Sequence, residues 1–242
     1  MSTYVLIHGA WHGAWCWDKV VPLLEEEGHI VEAPDLPGHG GDKTVIQDVS
    51  LQAYADRVCG VLDDQPEPVI LVGHSMGGAV ITQAAEYRPG KVETLVYLAA
   101  FLPQDGESIS QFTDGDTEAL LGTILIMGED GSATLRDEGI KETAYADCSD
   151  EDVARAKSLL VPQALAPIAS PVSTTEENFG RIPRVYIECL RDRTVSPSVQ
   201  KKMYTALPSR TVISMNTSHC PMLSAPEELV AHLTTLDLSG QG

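Results

Sequence analysis

Residues 70–78 read Ile-Leu-Val-Gly-His-Ser-Met-Gly-Gly. One serine, Ser75, stands between Gly73 and Gly77, straight after the apolar run 69–72 and straight before a stretch of helical composition over 79–87. A strand, a tight turn carrying one hydroxyl and then a helix is an arrangement that presents a serine as a nucleophile. The turn must hold Ser75 in a strained conformation, and side chains at 73 and 77 would collide with the neighbouring strand and helix. The start of the helix aims backbone N–H groups at any negative charge that forms nearby. The chemistry implied is acyl transfer. A serine hydroxyl is a poor nucleophile at neutral pH, so it needs a base and an acid that orients the base.

The elements that would position these groups alternate along the chain. Strands are expected over 4–7, 29–33, 69–72, 92–99, 184–189 and 211–215, and helices over 17–27, 51–62 and 77–87, with a last helix from about Ser224. Ser224-Ala225-Pro226-Glu227 reads as a capping box with proline in the first turn. The strands are continuous apolar runs, as expected when both faces are covered. The order predicts an α/β fold with a doubly wound, mostly parallel sheet. The interval 103–182 breaks the pattern and is strongly acidic. It holds an amphipathic helix over 147–160, opened by Ser149 or Asp150, and then a Pro- and Ala-rich stretch. Residues 1–102 and 183–242 are therefore read as the core. Residues 103–182 are read as a helical cap lying over the carboxyl ends of the strands, where open α/β sheets bind ligands.

Composition narrows the function. A chain of 242 residues with 43% hydrophobic content fits one α/β domain. A formal net charge of −19 argues against nucleic acid or an anionic membrane as a partner. No apolar run approaches about 18 residues, and the N-terminus lacks the basic segment of a signal peptide. Five scattered cysteines show no metal or disulfide spacing, which fits reduced thiols and a cytoplasmic location. His8 and His12 have no carboxylate or cysteine at a matching spacing, so no metal is expected.

The turn around Ser75 resembles the nucleophile elbow of α/β-hydrolases, in which the triad follows in the order serine, acid, histidine. Asp192 lies just past the strand 184–189, and His219 lies on the loop after the strand 211–215. His29 and His39 precede the serine, His8 and His12 follow the first strand, His74 is inside the motif and His232 is inside the last helix. Only His219 has both the order and the loop placement. Glu188 sits inside a strand and should face the sheet packing, which leaves Asp192 as the acid. The oxyanion donors are then the N–H of Met76, next after the nucleophile, and that of Ala10, in the glycine-containing loop after the first strand.

Four segments carry a closer resemblance. They are His8-Gly-Ala-Trp-His-Gly-Ala-Trp15, Gly73-His-Ser-Met-Gly-Gly78, Leu95-Val-Tyr-Leu-Ala-Ala-Phe-Leu-Pro103 and His219-Cys-Pro-Met-Leu223. Together they resemble the plant methylesterase and hydroxynitrile lyase group and its bacterial esterase relatives. The likeness runs over nearly the whole chain and is weakest in the interval 103–182. It implies hydrolysis of small carboxylic esters, methyl or aryl, with no metal or organic cofactor and with water as the second substrate. Bacterial relatives extend this to pyrethroid esters and benzimidazole carbamates. A homodimer is compatible with the resemblance. The lyases of the group carry threonine after the first histidine and lysine after the catalytic one. This chain has Gly9 and Cys220 there, so ester hydrolysis is expected over cyanohydrin cleavage or a purely receptor role. Gly9 is expected to leave room beside the oxyanion, and Trp11, Phe101, Leu102, Cys220 and Met222 are expected at an apolar acyl or aryl site.

Overall fold

The computed structural model describes residues 1–238. The chain opens with β1 (Thr3–Ile7), a 3-10 turn over Ala14–Trp17 and α1 (Val20–Glu26). The single helix expected over 17–27 is thus divided. Pro22 has no N–H and its ring crowds the carbonyl one turn back, so it is tolerated only in the first turn of a helix. β2 (Ile30–Glu32) and α2 (Leu51–Asp63) follow. Ser50 caps α2 by accepting the Ala53 N–H at 3.0 Å. Then come β3 (Val69–His74), α3 (Gly77–Tyr87) and β4 (Val92–Leu98).

The interval expected to be helical contains α4 (Ile109–Thr113), α5 (Leu121–Ile124), β5 (Leu125–Met127), β6 (Ser132–Leu135), α6 (Ile140–Ala144), α7 (Asp150–Leu159), β7 (Gln163–Ala164) and α8 (Ala166–Ala169). The amphipathic helix is α7, and Ser149 caps it by accepting the Asp152 N–H at 3.1 Å. β5, β6 and β7 form a small antiparallel sheet that the expectation lacked. Strands this short are too brief for alternation of apolar residues to stand out.

The core resumes with β8 (Arg184–Cys189), α9 (Pro197–Ala206), β9 (Thr211–Met215), α10 (Pro221–Ser224) and α11 (Pro226–Leu238). The expected last helix is α11, and the short α10 precedes it and ends at Ser224.

The main sheet has the order β2-β1-β3-β4-β8-β9, and every neighbouring pair is parallel. Alternate residues feed opposite faces. Val5, Ile7 and Leu71 pack on one side, and Tyr4, Leu6, Ile70 and Val72 on the other. All six residues of β3 are buried, which explains its unbroken apolar run. The strand order reverses direction between β1 and β3, with Ile7 opposite Gly73. A reversal of this kind opens a crevice at the carboxyl ends of the two strands. Among the described residues, no helix is long and apolar enough to cross a membrane.

Candidate active site

The turn from β3 into α3 has the strain its sequence demands. Ser75 adopts φ +54°, a region that costs a non-glycine residue about 1–3 kcal/mol. Three hydrogen bonds hold it there: its N–H donates to Leu98 O at 3.2 Å, and its carbonyl accepts the N–H groups of Gly78 and Phe101, each at 3.0 Å. The glycines on either side permit the close approach. A Cβ at Gly73 would lie 2.6 Å from Gly77 O, and one at Gly77 would lie 2.7 Å from Ile7 O. The helix therefore starts directly behind the serine, against β1.

The loops after β8 and β9 bring Asp192 and His219 together. His219 Nδ1 lies 2.7 Å from Asp192 Oδ2, and both side chains are buried. Asp192 Oδ1 accepts the N–H groups of Thr194 at 2.7 Å and Val195 at 3.0 Å. Gln200, from α9, donates to Asp192 Oδ2 at 3.2 Å and to Val195 O at 2.8 Å. The carboxylate is thus fixed from three sides and can hold one imidazole tautomer, with Nε2 left for Ser75. The Ser75 hydroxyl has no hydrogen-bond partner among the described residues. Serine–histidine bonds of this kind are often loose before a substrate tightens them. The interval 103–182 supports the histidine loop as well. Asp147 accepts the Ser218 N–H at 2.7 Å, together with the Ser218 hydroxyl, and pairs with Arg191 at 3.2 Å.

The other histidines near the serine are committed elsewhere. His8 Nδ1 donates to Gly9 O at 2.8 Å, and its Nε2 accepts the Leu36 N–H at 3.1 Å. His12 Nδ1 donates to Ala10 O at 2.7 Å, and its Nε2 accepts the Tyr145 hydroxyl at 2.6 Å. His39 contacts Pro37 O and Gln163. His74 donates from Nε2 to His219 O at 2.9 Å, and their rings lie 4.6 Å apart. Burial holds His8 and His74 well below the ordinary histidine range, and it lowers His12 to about 4. These rings are neutral near pH 7, so they frame His219 without adding charge. Glu188 does not face the sheet packing as expected. It is half-buried near the carboxyl end of β8, where it accepts Ser214 Oγ at 2.7 Å and the Tyr204 hydroxyl at 3.1 Å.

Ala10 and Met76 both border the cavity at Ser75, and neither N–H donates within the described residues. These are the two donors expected for an oxyanion. The loop that carries Ala10 is held from the interval 103–182. Trp11, at φ +63°, accepts the Val161 N–H at 3.0 Å through its carbonyl. Its indole N–H donates to Ala133 O at 2.8 Å, and its backbone N–H faces Gln163 Oε1 at 3.4 Å.

Two cavities meet at the serine. The larger, about 270 Å³, is walled mainly by apolar groups, including Trp11, Phe101, Ile109, Leu121, Leu165 and Ile168, with Asp114 and Asp116 also on its lining. The smaller, about 20 Å³, is bordered by Ser75, His219, His12, Thr143 and Tyr145. Of the residues expected at an acyl or aryl site, Trp11 and Phe101 line the larger cavity. Gly9, Leu102, Cys220 and Met222 do not line either cavity. A Cβ at Gly9 would lie 2.8 Å from Ser75 Cβ and 3.0 Å from His74 Nδ1, so Gly9 serves close packing behind the nucleophile. Leu102 is buried in the core on one face of the sheet, and Cys220 and Met222 in the core on the other. Strand-end position alone did not say which way these side chains turn. Burial also pushes the Cys220 thiol up, so it stays neutral. Sequence reasoning missed Gln163, Tyr145, Thr143 and Gln200, which reach the site from distant parts of the chain. Gln200 could have been sought one helical turn inside the helix after Asp192. The other three had no local signal.

A family model described as the alpha/beta hydrolase family matches residues 4–232. Methylesterase 2 of Arabidopsis thaliana is 35% identical over 249 residues, covering 96% of this chain and 95% of the relative. Pyrethroid hydrolase of Sphingobium wenxiniae is 35% identical over 241 residues, covering 95% and 85%. The crystal structure of polyneuridine aldehyde esterase superposes with a TM-score of 0.89 at 27% identity, covering 98% of this chain and 99% of that one.

Proposed function

The chain belongs to the alpha/beta hydrolase family as an esterase-type enzyme, and from that premise we propose that Ser75, His219 and Asp192 form its catalytic triad. Ser75 Oγ attacks the ester carbonyl while His219 Nε2 takes its proton. His219 then returns that proton to the leaving oxygen, and an acyl-enzyme remains. Water repeats the cycle and releases the acid. Asp192 holds the imidazole and stabilises its charged form. The Ala10 and Met76 N–H groups hold the oxyanion. The observation that carries this reading is the buried His219–Asp192 pair at 2.7 Å, on a histidine that shares a cavity with the strained Ser75.

The substrate is a small carboxylic or carbamic ester with an apolar acyl or aryl part. The apolar wall of the larger cavity supports this, as do relatives named for methyl-ester and pyrethroid hydrolysis. The interval 103–182 acts as the cap that supplies most of that wall. No metal or organic cofactor takes part. Cyanohydrin cleavage is disfavoured because the position after His219 holds a buried neutral thiol, with no cation to accept cyanide.

Labelling with a fluorophosphonate, followed by peptide mapping, tests the nucleophile. Modification at Ser75 is expected, and modification of another serine would overturn the assignment. A panel of methyl, aryl and carbamic esters beside mandelonitrile tests the chemistry. Efficient cyanide release with esters untouched would reverse it.

A further inference from the structure

The smaller cavity has a property that the triad alone does not use. Its volume, about 20 Å³, exceeds the roughly 10–15 Å³ that one water needs. Its border includes the nucleophile, the candidate base and three hydrogen-bonding side chains from two distant segments: Ser75, His219, His12, Thr143 and Tyr145. Thr143, on α6, is fully buried, and its Oγ1 has no protein partner. Its carbonyl is occupied, because it accepts Thr194 Oγ1 at 3.1 Å. A buried hydroxyl left without a partner costs about 1–3 kcal/mol unless something else satisfies it.

The direction of the neighbouring bonds is also fixed. His12 gives its Nδ1 proton to Ala10 O, so its Nε2 must accept. Tyr145 is therefore the donor in the 2.6 Å contact with His12, and its oxygen still has lone pairs to offer. Burial keeps Tyr145 a neutral phenol and His12 a neutral imidazole near pH 7. Thr143, Tyr145 and His219 all stand on the wall of this cavity, so a water in it has three side chains with polar atoms beside it. That is the two to four polar partners a buried water requires.

Resting on the triad reading, we propose that this chamber seats the water that hydrolyses the acyl-enzyme, with Thr143 Oγ1 as the positioning group. During deacylation the water oxygen bonds to the acyl carbon and its proton passes to His219 Nε2. The bond from that carbon to Ser75 Oγ then breaks, the proton returns to Oγ, and the carboxylic acid leaves. Thr143 touches only the water, so it acts in this half of the cycle and not in acylation.

The test separates the two halves. Enzyme in excess is mixed with p-nitrophenyl butyrate. Phenolate release reports acylation, and intact-mass spectrometry follows formation and decay of the acylated Ser75. Thr143→Val, which keeps the shape and removes the hydroxyl, should slow deacylation about tenfold, equivalent to one well-placed hydrogen bond. Acylation should stay within about twofold. In steady state, kcat and KM fall together while kcat/KM holds. Thr143→Ser should restore deacylation. Thr143→Ala provides the same reading if the valine protein does not fold. Wild-type deacylation in the valine and alanine proteins would overturn the proposal, as would equal slowing of both steps. Fluorophosphonate labelling of a serine other than Ser75 would overturn it together with the triad reading, and that result is distinct from the first two.

Discussion

The parallel sheet and the interval 103–182 both supply groups to the same serine, but by different means. In the sheet each proposed catalytic residue follows its own strand. Ala10 comes after β1, Ser75 after β3, Asp192 after β8 and His219 after β9. Their meeting is a consequence of topology, since every strand runs the same way and ends at the same edge. The interval supplies Thr143, Tyr145 and Gln163 from a helix, a helix end and a two-residue strand, with no common register. The contrast teaches that this protein keeps its chemistry on a rigid repeating frame and builds its walls from irregular chain. Substitutions in the sheet should therefore abolish turnover, whereas those in the interval should redistribute it among steps or substrates.

The sharpest way to break this contrast is the nucleophile. Ser75→Ala should cost at least about 10⁴ in kcat, with thermal stability retained, because alanine keeps the Cβ and the same backbone conformation at φ +54°. Measured kcat and Tm decide it, and residual turnover above a hundredth of wild type would sink the assignment. His219→Ala should come close to the same loss. Asp192→Asn should be severe but smaller, because the imidazole can persist in the wrong tautomer. A wild-type rate in the asparagine enzyme would move the acid elsewhere. Gly9→Thr introduces a Cβ at 2.8 Å from Ser75 Cβ, so it should depress turnover by about 10²-fold or more through displacement of the serine. A near-normal rate would mean that the loop yields easily.

Gln163→Ala sharpens the other half of the comparison. It removes the group facing the Trp11 N–H and the contacts to His39 and the Tyr54 hydroxyl. The loss expected is about tenfold in kcat/KM, with fluorophosphonate labelling of Ser75 preserved. Loss of labelling would show that the frame itself depends on the interval.

The smallest effect concerns pH. His8, His12 and His74 have folded values below 6.5, with His12 at about 4, so the unfolded chain binds more protons than the folded one between about 4 and 6.5. Stability from these rings is complete above 6.5 and is lost as pH falls through that window. Tm should decline on acidification from pH 6.5 toward 4, and His12→Gln should flatten part of the slope. A Tm that stays level over that range would show that these rings accept protons in the folded state.

How much of this was readable beforehand follows the same division. The elbow declared itself because Gly73, Ser75 and Gly77 are required by contacts within a few residues or with an adjacent strand. Asp192 and His219 could be ranked because strand order restricts which loops can meet. Leu102, Cys220 and Met222 were misplaced because position after a strand does not give side-chain direction. Thr143 and Tyr145 were silent, since what singles them out is a cavity that exists only once α6 has packed beside His219. β5, β6 and β7 were silent as well, being too short to show a period.

Trp11 ties these two regions together through Ala133, Val161 and Gln163. That stitching has a bearing on how such an enzyme could diversify. A lineage could revise the stretch from Ile109 to Thr123, which borders the larger cavity and makes no hydrogen bond to the Trp11 loop, and so acquire new esters at little cost to rate. Changes to the strands at Ala133 and Gln163 would disturb the oxyanion donors at the same moment. A saturation scan under selection on two different esters should then show tolerance, and exchange of preference, over 109–123. Near Ala133 and Gln163 it should show intolerance on both substrates.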